Sequence, residues 1–300
     1  MIPDPGADFF SALRDLAPDF RKPVTVARKE FADFCHGMQE DIITRGGYVI
    51  ERAAVPGPDC FWITLPGVYQ DRVLLFFHGG GFTMGSTADY LGLCIRLAKA
   101  ARARVFSVDY RLAPEHVFPA AVDDAVAAYR HLMEEGIFPH HIIPVGISAG
   151  GTLVLDLLLT CRDKRLGFPS AAICMCPATD MLFPGASVEK NKDRDWITPE
   201  RLHAIRAAYL AGHDPHDSLA SPVNASLRGL PRLYVQAGTH ELLASDIAAF
   251  VEKARWSGTP VQAVVWEGMF HSWQLFAGQV PEGQEAIEDA GRFALEVLSR

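Results

Sequence analysis

"PVGISAGGTL", residues 144–153, sets a serine between two glycines at the point where the apolar run "HIIPVGI" (141–147) gives way to a helix-like segment beginning near residue 149. A strand that turns straight into a helix leaves little room at the junction, so the positions two residues to either side of the turning residue must lack side chains. Gly146 and Gly150 occupy those positions around Ser148. The string Gly-x-Ser-x-Gly recurs by chance. Between a strand and a helix it marks a hydroxyl raised from the sheet for nucleophilic work.

The rest of the chain supplies that context. Strand-like runs occur at 48–55, 60–65, 72–77, 103–110, 141–147, 171–176, 232–238 and 261–267, and helix-like segments at 88–101, 119–135, 149–163, 241–257 and 284–299. From residue 103 onward the order is strand, helix, strand, as in a parallel sheet covered by helices on both faces. The strands read as continuous apolar runs, which suits burial on both faces. Two stretches break the alternation. Residues 1 to about 45 precede the first strand, and residues 180–228 form an insert in which "DRDWITPERLHAIRAAYLAG" reads as a helix opened by a Thr198-Pro199-Glu200 cap and closed at Gly212. Residues 1–300 are therefore expected to form one domain, capped by about 1–45 together with 180–228.

Composition excludes several function classes. The chain has 300 residues, 49% hydrophobic and 21% charged, with a formal net charge of −8. That balance argues against nucleic acid or an anionic membrane as partner, since both select clustered Lys and Arg. The first twenty residues do not resemble a signal peptide and no apolar run approaches a membrane span, so a cytoplasmic location is expected. Six cysteines follow no metal-ligand spacing and read as free, buried thiols. "HELLA" (240–244) opens like a zinc helix but places Ala244 where the second histidine belongs. No metal is expected.

A nucleophilic serine needs a base, and the base needs an orienting acid. His271, in "WEGMFHSW", follows the last strand-like run, at the sheet edge where ligands bind in such folds. Glu241 is the first acid after the run ending at Gly238, and it precedes His271 by 271 − 241 = 30 residues, room for a helix and a strand. Asp246 is the rival, though it falls further into the helix. The glycine triplet of "FFHGGGFTMG" (76–85) suits an oxyanion hole, where backbone N–H groups must face a developing negative charge. Gly80 and Gly81 are the expected donors, with Ala149 after the serine.

"HGGGF", "DYRLAPEHVFPAAVDD" (109–124), "GISAGG" and "GTHELLASD…EGMFH", in that order over about residues 70–275, resemble the hormone-sensitive-lipase family of α/β-hydrolases, in its bacterial carboxylesterase branch. The resemblance implies the α/β-hydrolase fold, with an eight-stranded, mostly parallel sheet and a helical cap. It also implies cofactor-free hydrolysis of short-chain acyl esters. It carries the nucleophile to Ser148, the acid to Glu241, the base to His271 and the oxyanion donors to Gly80, Gly81 and Ala149. Two departures stand out: Ile147 replaces a commonly polar residue before the serine, and the acid is Glu rather than the commoner Asp. In "DYRLAPE", Asp109 and Arg111 read as anchors of a loop.

The expected substrate is a small-molecule ester, short- to medium-chain, or a lactone. The alternatives are a dedicated biosynthetic acyl or thioester hydrolase or lyase using the same pocket, and a non-catalytic receptor, which the presence of His271 disfavours. Homodimerisation is left open. Apolar groups of the two extra stretches supply the acyl pocket in this reading: Phe9, Phe10, Phe34 and Met38 from the first, Phe183, Trp196 and Tyr209 from the second. Phe34, Met38, Phe183, Trp196 and Tyr209 are the substrate-binding candidates.

Overall fold

The computed structural model describes residues 10, 12–15, 17, 18 and 22–299; Phe9 lies outside them. Eight strands form one sheet in the order β1-β2-β4-β3-β5-β6-β7-β8. They are β1 (Val49–Ala53), β2 (Asp59–Thr64), β3 (Tyr69–Phe77), β4 (Ala103–Asp109), β5 (Ile142–Ile147), β6 (Ala171–Met175), β7 (Arg232–Gly238) and β8 (Val261–Trp266). The β1–β2 and β2–β4 pairings are antiparallel, and those from β4 through β8 are parallel. Every residue of β5 and β6 is buried, whereas β1 and β8 at the sheet edges are largely accessible. Continuous apolar runs therefore mark the central strands.

Parallel strands require crossovers, and helices supply them. The helices are α1 (Val24–Ile43), α2 (Leu91–Ala101), α3 (Ala120–Glu134), α4 (Ala149–Lys164), α5 (Ser187–Lys190), α6 (Pro199–Leu210), α7 (Ala244–Trp256) and α8 (Pro281–Leu298). Alternation along β7 shows that both faces are covered. Tyr234 stacks near Phe293 of α8 and Gln236 Nε2 donates to the Ala286 carbonyl, while Val235 and Ala237 line a space beside α7. Helix α6 starts where the cap signal places it, with the Thr198 hydroxyl accepting from the Arg201 N–H and Pro199 in the first turn. It stops at Ala211, which takes the left-handed conformation (φ 48°) one residue before the expected Gly212.

Residues 109–124 brace the glycine-rich loop after β3. The Tyr110 hydroxyl donates to the His78 carbonyl at 2.9 Å, and the two rings stack at 4.2 Å. The Ala113 N–H donates to the Phe82 carbonyl. Asp109 accepts from the N–H and hydroxyl of Thr87, and Arg111 pairs with Asp124 at 2.9 Å. All six cysteines are free and buried. No helix among the described residues is long and apolar enough to cross a membrane.

The β5–α4 junction is the tightest point of the frame. A Cβ at Gly150 would overlap the Phe77 carbonyl oxygen, and one at Gly146 the Gly150 carbonyl, both of them backbone that cannot step aside. Gly150→Ala is expected to cost about 3 kcal/mol by overpacking. Gly37→Ala, in an exposed turn of α1 with open space around it, is expected to add about 1 kcal/mol. Urea unfolding of the two variants beside wild type measures both.

Candidate active site

Ser148 sits at the tip of that junction with φ 55° and ψ −121°, a conformation L-residues avoid. Its own backbone holds it there: the Ser148 N–H donates to the Met175 carbonyl of β6, and the Ser148 carbonyl accepts from Gly151. The side chain is thereby pushed beyond the carboxyl end of β5. Three other loops reach the same edge, those following β3, β7 and β8.

His271, after β8, places Nε2 2.8 Å from the Ser148 Oγ. On its other side Nδ1 lies 3.0 Å from Oε2 of Glu241, and both side chains are buried. The second carboxylate oxygen of Glu241 accepts from the Gly238 N–H at 2.9 Å. With Nδ1–H donating to the carboxylate, Nε2 is left to accept the serine hydroxyl, the tautomer that can take its proton. Between the two acids weighed from sequence, the geometry is unequal. Asp246 lies in the first turn of α7 with its Oδ1 beside Gly185, while Glu241 is bonded to the imidazole.

The glycine triplet has three local causes. A Cβ on Gly79 would meet the Tyr90 hydroxyl at 2.5 Å, one on Gly80 (φ 110°) would overlap the Met84 carbonyl, and one on Gly81 (φ 61°) would meet the Ile205 side chain at 2.6 Å. The expectation of bare backbone left clear for a ligand is thus corrected in part. Gly80 is required because the loop closes on itself, with Thr83 and Met84 donating to its carbonyl, and Gly81 because a side chain of α6 lies on top of it. The N–H groups of Gly80 and Gly81, like that of Ala149 at the start of α4, remain without a hydrogen-bond acceptor among the described residues.

The space in front of Ser148 is small, ≈ 40 Å³, room for about three water molecules. Phe31, Met84, Trp196, Arg201, Ile205 and Ser272 help to line it, beside Gly80, Gly81 and His271. Of the five apolar candidates, Trp196 alone borders it. Phe34 is one layer back, its ring 5.4 Å from Trp196 and 5.8 Å from Phe276. The α1 residue that reaches the pocket is Phe31, which is three positions earlier and so nearly one helical turn away. Met38 packs against the core at the far end of α1, and Phe183 is buried in the loop before α5. Tyr209 stacks face to face on Phe82 at 3.7 Å. Ile205 and Arg201 escaped the sequence reading because the helix carrying them has no apolar face to mark which residues point inward.

The largest of the described cavities, ≈ 830 Å³, runs between α7 and β8 along Val235, Ala237, Ile247, Val251, Ala263 and Val265. It contains none of the Ser148, His271 and Glu241 side chains, and convergent polar groups define a reactive site better than volume does. Cys176, Glu241 and His271 bring one potential metal-ligand atom each within 4.8 Å of one another. The set does not suit a metal: His271 Nδ1 and Glu241 are bonded to each other, and burial, reinforced by the Glu241 charge, pushes the Cys176 thiol far up, toward its non-ligating protonated form.

The alpha/beta hydrolase fold family matches residues 74–275. An acetyl-hydrolase of Streptomyces hygroscopicus is 41% identical over 233 residues, 77% of this chain and 78% of the relative. An esterase of Acinetobacter venetianus is 35% identical over 225 residues, 74% of each chain. Among solved structures, an esterase from the bacterial hormone-sensitive lipase family superposes with a TM-score of 0.92 at 38% identity, covering 99% of this chain and 100% of the other. Sheet and relatives together define a carboxylic ester hydrolase. The chain belongs to the bacterial hormone-sensitive-lipase family of α/β-hydrolases.

Asp246 has a measurable signature of its own. Burial first, and the Asp180 charge second, push its carboxyl from 3.8 up to about 7. A raised folded-state value means that the folded chain holds this proton more tightly, so the group's contribution to stability falls as pH rises from about 4 to about 7. Asp246→Asn should therefore raise Tm more at pH 8 than at pH 4, read by thermal melts at both, with esterase activity within about threefold of wild type.

Proposed function

We propose that the chain hydrolyses short-chain acyl esters through a covalent acyl-enzyme, with Ser148 as nucleophile, His271 as general base and acid, and Glu241 as the orienting acid. The observation that carries this is the unbroken series Ser148 Oγ to His271 Nε2 at 2.8 Å and His271 Nδ1 to Glu241 at 3.0 Å, ending on a serine held in a left-handed turn.

His271 Nε2 takes the hydroxyl proton as Oγ attacks the ester carbonyl, and the imidazolium is stabilised by Glu241. The carbonyl oxygen becomes an oxyanion, which the N–H groups of Gly80, Gly81 and Ala149 receive; one such donor is worth about 3 kcal/mol of barrier. His271 then returns the proton to the leaving alcohol. Water enters, loses its proton to Nε2 and repeats the attack on the acyl carbon, releasing the acid and restoring Ser148.

The small pocket supports acetyl- to butyryl-sized acyl groups. Its walls come from α1 through Phe31 and from the 180–228 stretch through Trp196, Arg201 and Ile205, so these two segments act together as the cap in this reading. The similarity to an acetyl-hydrolase favours the same short-acyl range.

Ser148→Ala should abolish turnover of p-nitrophenyl acetate with an unchanged circular dichroism spectrum. Glu241→Gln, which favours the wrong imidazole tautomer, should lower kcat by roughly 10³ to 10⁴; near-wild-type turnover in either variant refutes the assignment. Ile205→Ala removes the side chain resting on Gly81, and across acetyl to octanoyl esters it should raise kcat/KM for hexanoyl relative to acetyl by about tenfold. An unchanged chain-length profile would place the acyl group elsewhere.

A further inference from the structure

The loops that carry the acid and the base leave β7 and β8 separately and are braced by backbone bonds, from the Thr239 N–H to the Trp266 carbonyl and from the His240 N–H to the Met269 carbonyl. Both bonds lie on the strand side of the functional groups. Beyond them, a single buried carboxylate from the insert spans the two loops. Asp195 Oδ2 accepts from the Leu242 N–H, next to Glu241, at 2.8 Å, and Oδ1 accepts from the His271 N–H at 3.2 Å. Its neighbour Trp196 donates from Nε1 to the His271 carbonyl at 2.7 Å, so one dipeptide holds both sides of the His271 backbone. Asn191, four residues earlier, donates from Nδ2 to the Glu241 carbonyl at 2.9 Å.

We propose that Asp195 is the positioning residue that sets the His271 imidazole against Glu241, and that through it the insert takes part in assembling the reactive geometry as well as covering it. The inference rests on the functional reading of Ser148, Glu241 and His271 above. A buried carboxylate without compensating donors costs several kcal/mol. This one is met by three N–H groups, that of Ile197 in the insert itself at 3.4 Å and those of Leu242 and His271 in the two loops it joins, and the last two are a placement that general packing of the insert does not require. Burial pushes its carboxyl up to about 6, against the pull of the His271 charge and of the Leu242 N–H. Its segment is tied in turn to the N-terminal stretch. Arg14 donates to the Asp195 and Lys192 carbonyls at 2.9 and 2.8 Å, and Arg201 joins the Trp196 and Arg14 carbonyls. Cap and base are thus connected by a continuous series of hydrogen bonds, and displacements of about 1 Å at a reacting group can cost about 100-fold in rate.

The test is Asp195→Asn in the full chain. The amide keeps the size and one acceptor but turns an NH₂ either toward the Leu242 N–H or toward those of His271 and Ile197. With p-nitrophenyl acetate, kcat should fall about 100-fold while KM stays within about threefold. The low-field proton resonance of the His271–Glu241 hydrogen bond should shift or broaden, under an unchanged circular dichroism spectrum. A kcat within threefold of wild type, or a loss of kcat with that resonance unmoved, overturns the proposal. Should Asp195→Asn not fold, Asp195→Glu decides: it keeps the carboxylate but displaces it by one methylene from the Leu242 and His271 N–H groups, kcat should drop about tenfold with the resonance displaced, and wild-type kcat overturns the proposal. Ser148→Ala separates the two readings. If it stays active, the functional reading fails; if it is inactive and Asp195→Asn behaves as wild type, only the positioning role fails.

Discussion

A serine forced into a left-handed turn between a buried strand and a buried helix is the constraint on which the rest of the structure depends. Ser148 adopts φ 55°, which an L-residue accepts only when its surroundings over-determine it. Those surroundings are β5, flanked by β3 and β6, and α4, whose Gly150 lies against the Phe77 carbonyl. β5 and β6 are apolar and buried throughout, and β3 is so from Val73 to Phe77, the part that borders the turn. The strain is offset by packing, and its product is a hydroxyl that stands clear of the sheet and meets an imidazole from a loop 123 residues further along the chain.

The covering segments answer a different need. An open sheet edge would leave Ser148 in bulk water, where charge development is screened and hydrogen-bond donors compete with solvent. Phe31 of α1 and Trp196, Arg201 and Ile205 of the insert narrow this space to ≈ 40 Å³. The same insert reaches the backbone of the loops that carry Glu241 and His271 through Asn191, Asp195 and Trp196. One piece of chain therefore both walls the space in front of Ser148 and bonds to the backbone beside Glu241 and His271.

Two buried carboxyls near the site illustrate how environment separates groups of equal chemistry. Glu241 has its oxygens matched by His271 Nδ1 and the Gly238 N–H. Asp246, five residues on, has an oxygen without a hydrogen-bond partner among the described residues and a carboxyl pushed up to about 7. The first sits where a carboxylate can orient an imidazole, and the second where it is easiest to keep protonated.

Much of this was legible in the sequence because it is local. Apolar runs against 3.6-residue periods placed all eight strands to within three residues at each end. The spacing of Gly146, Ser148 and Gly150 located the turn, although only Gly146 answers to a neighbour within it, the Gly150 carbonyl, while Gly150 answers to the Phe77 carbonyl of β3. Chain order placed Glu241 ahead of His271. What the sequence could not settle concerns contacts between segments that share no local pattern. Phe31 rather than Phe34 faces the pocket because of how α1 is rotated against Trp196, and helical spacing alone cannot give that rotation. Gly81 is bare because Ile205, 124 positions later, descends on it, while Asp195 reads as one acid in the charged stretch "KDRD" until folding buries it between two loops. Short-range sterics and periodicity determined the sheet and the turn. The rotation of helices and the pairing of distant polar groups, set only once the chain is packed, decided the shape of the pocket and what bonds to the His271 backbone.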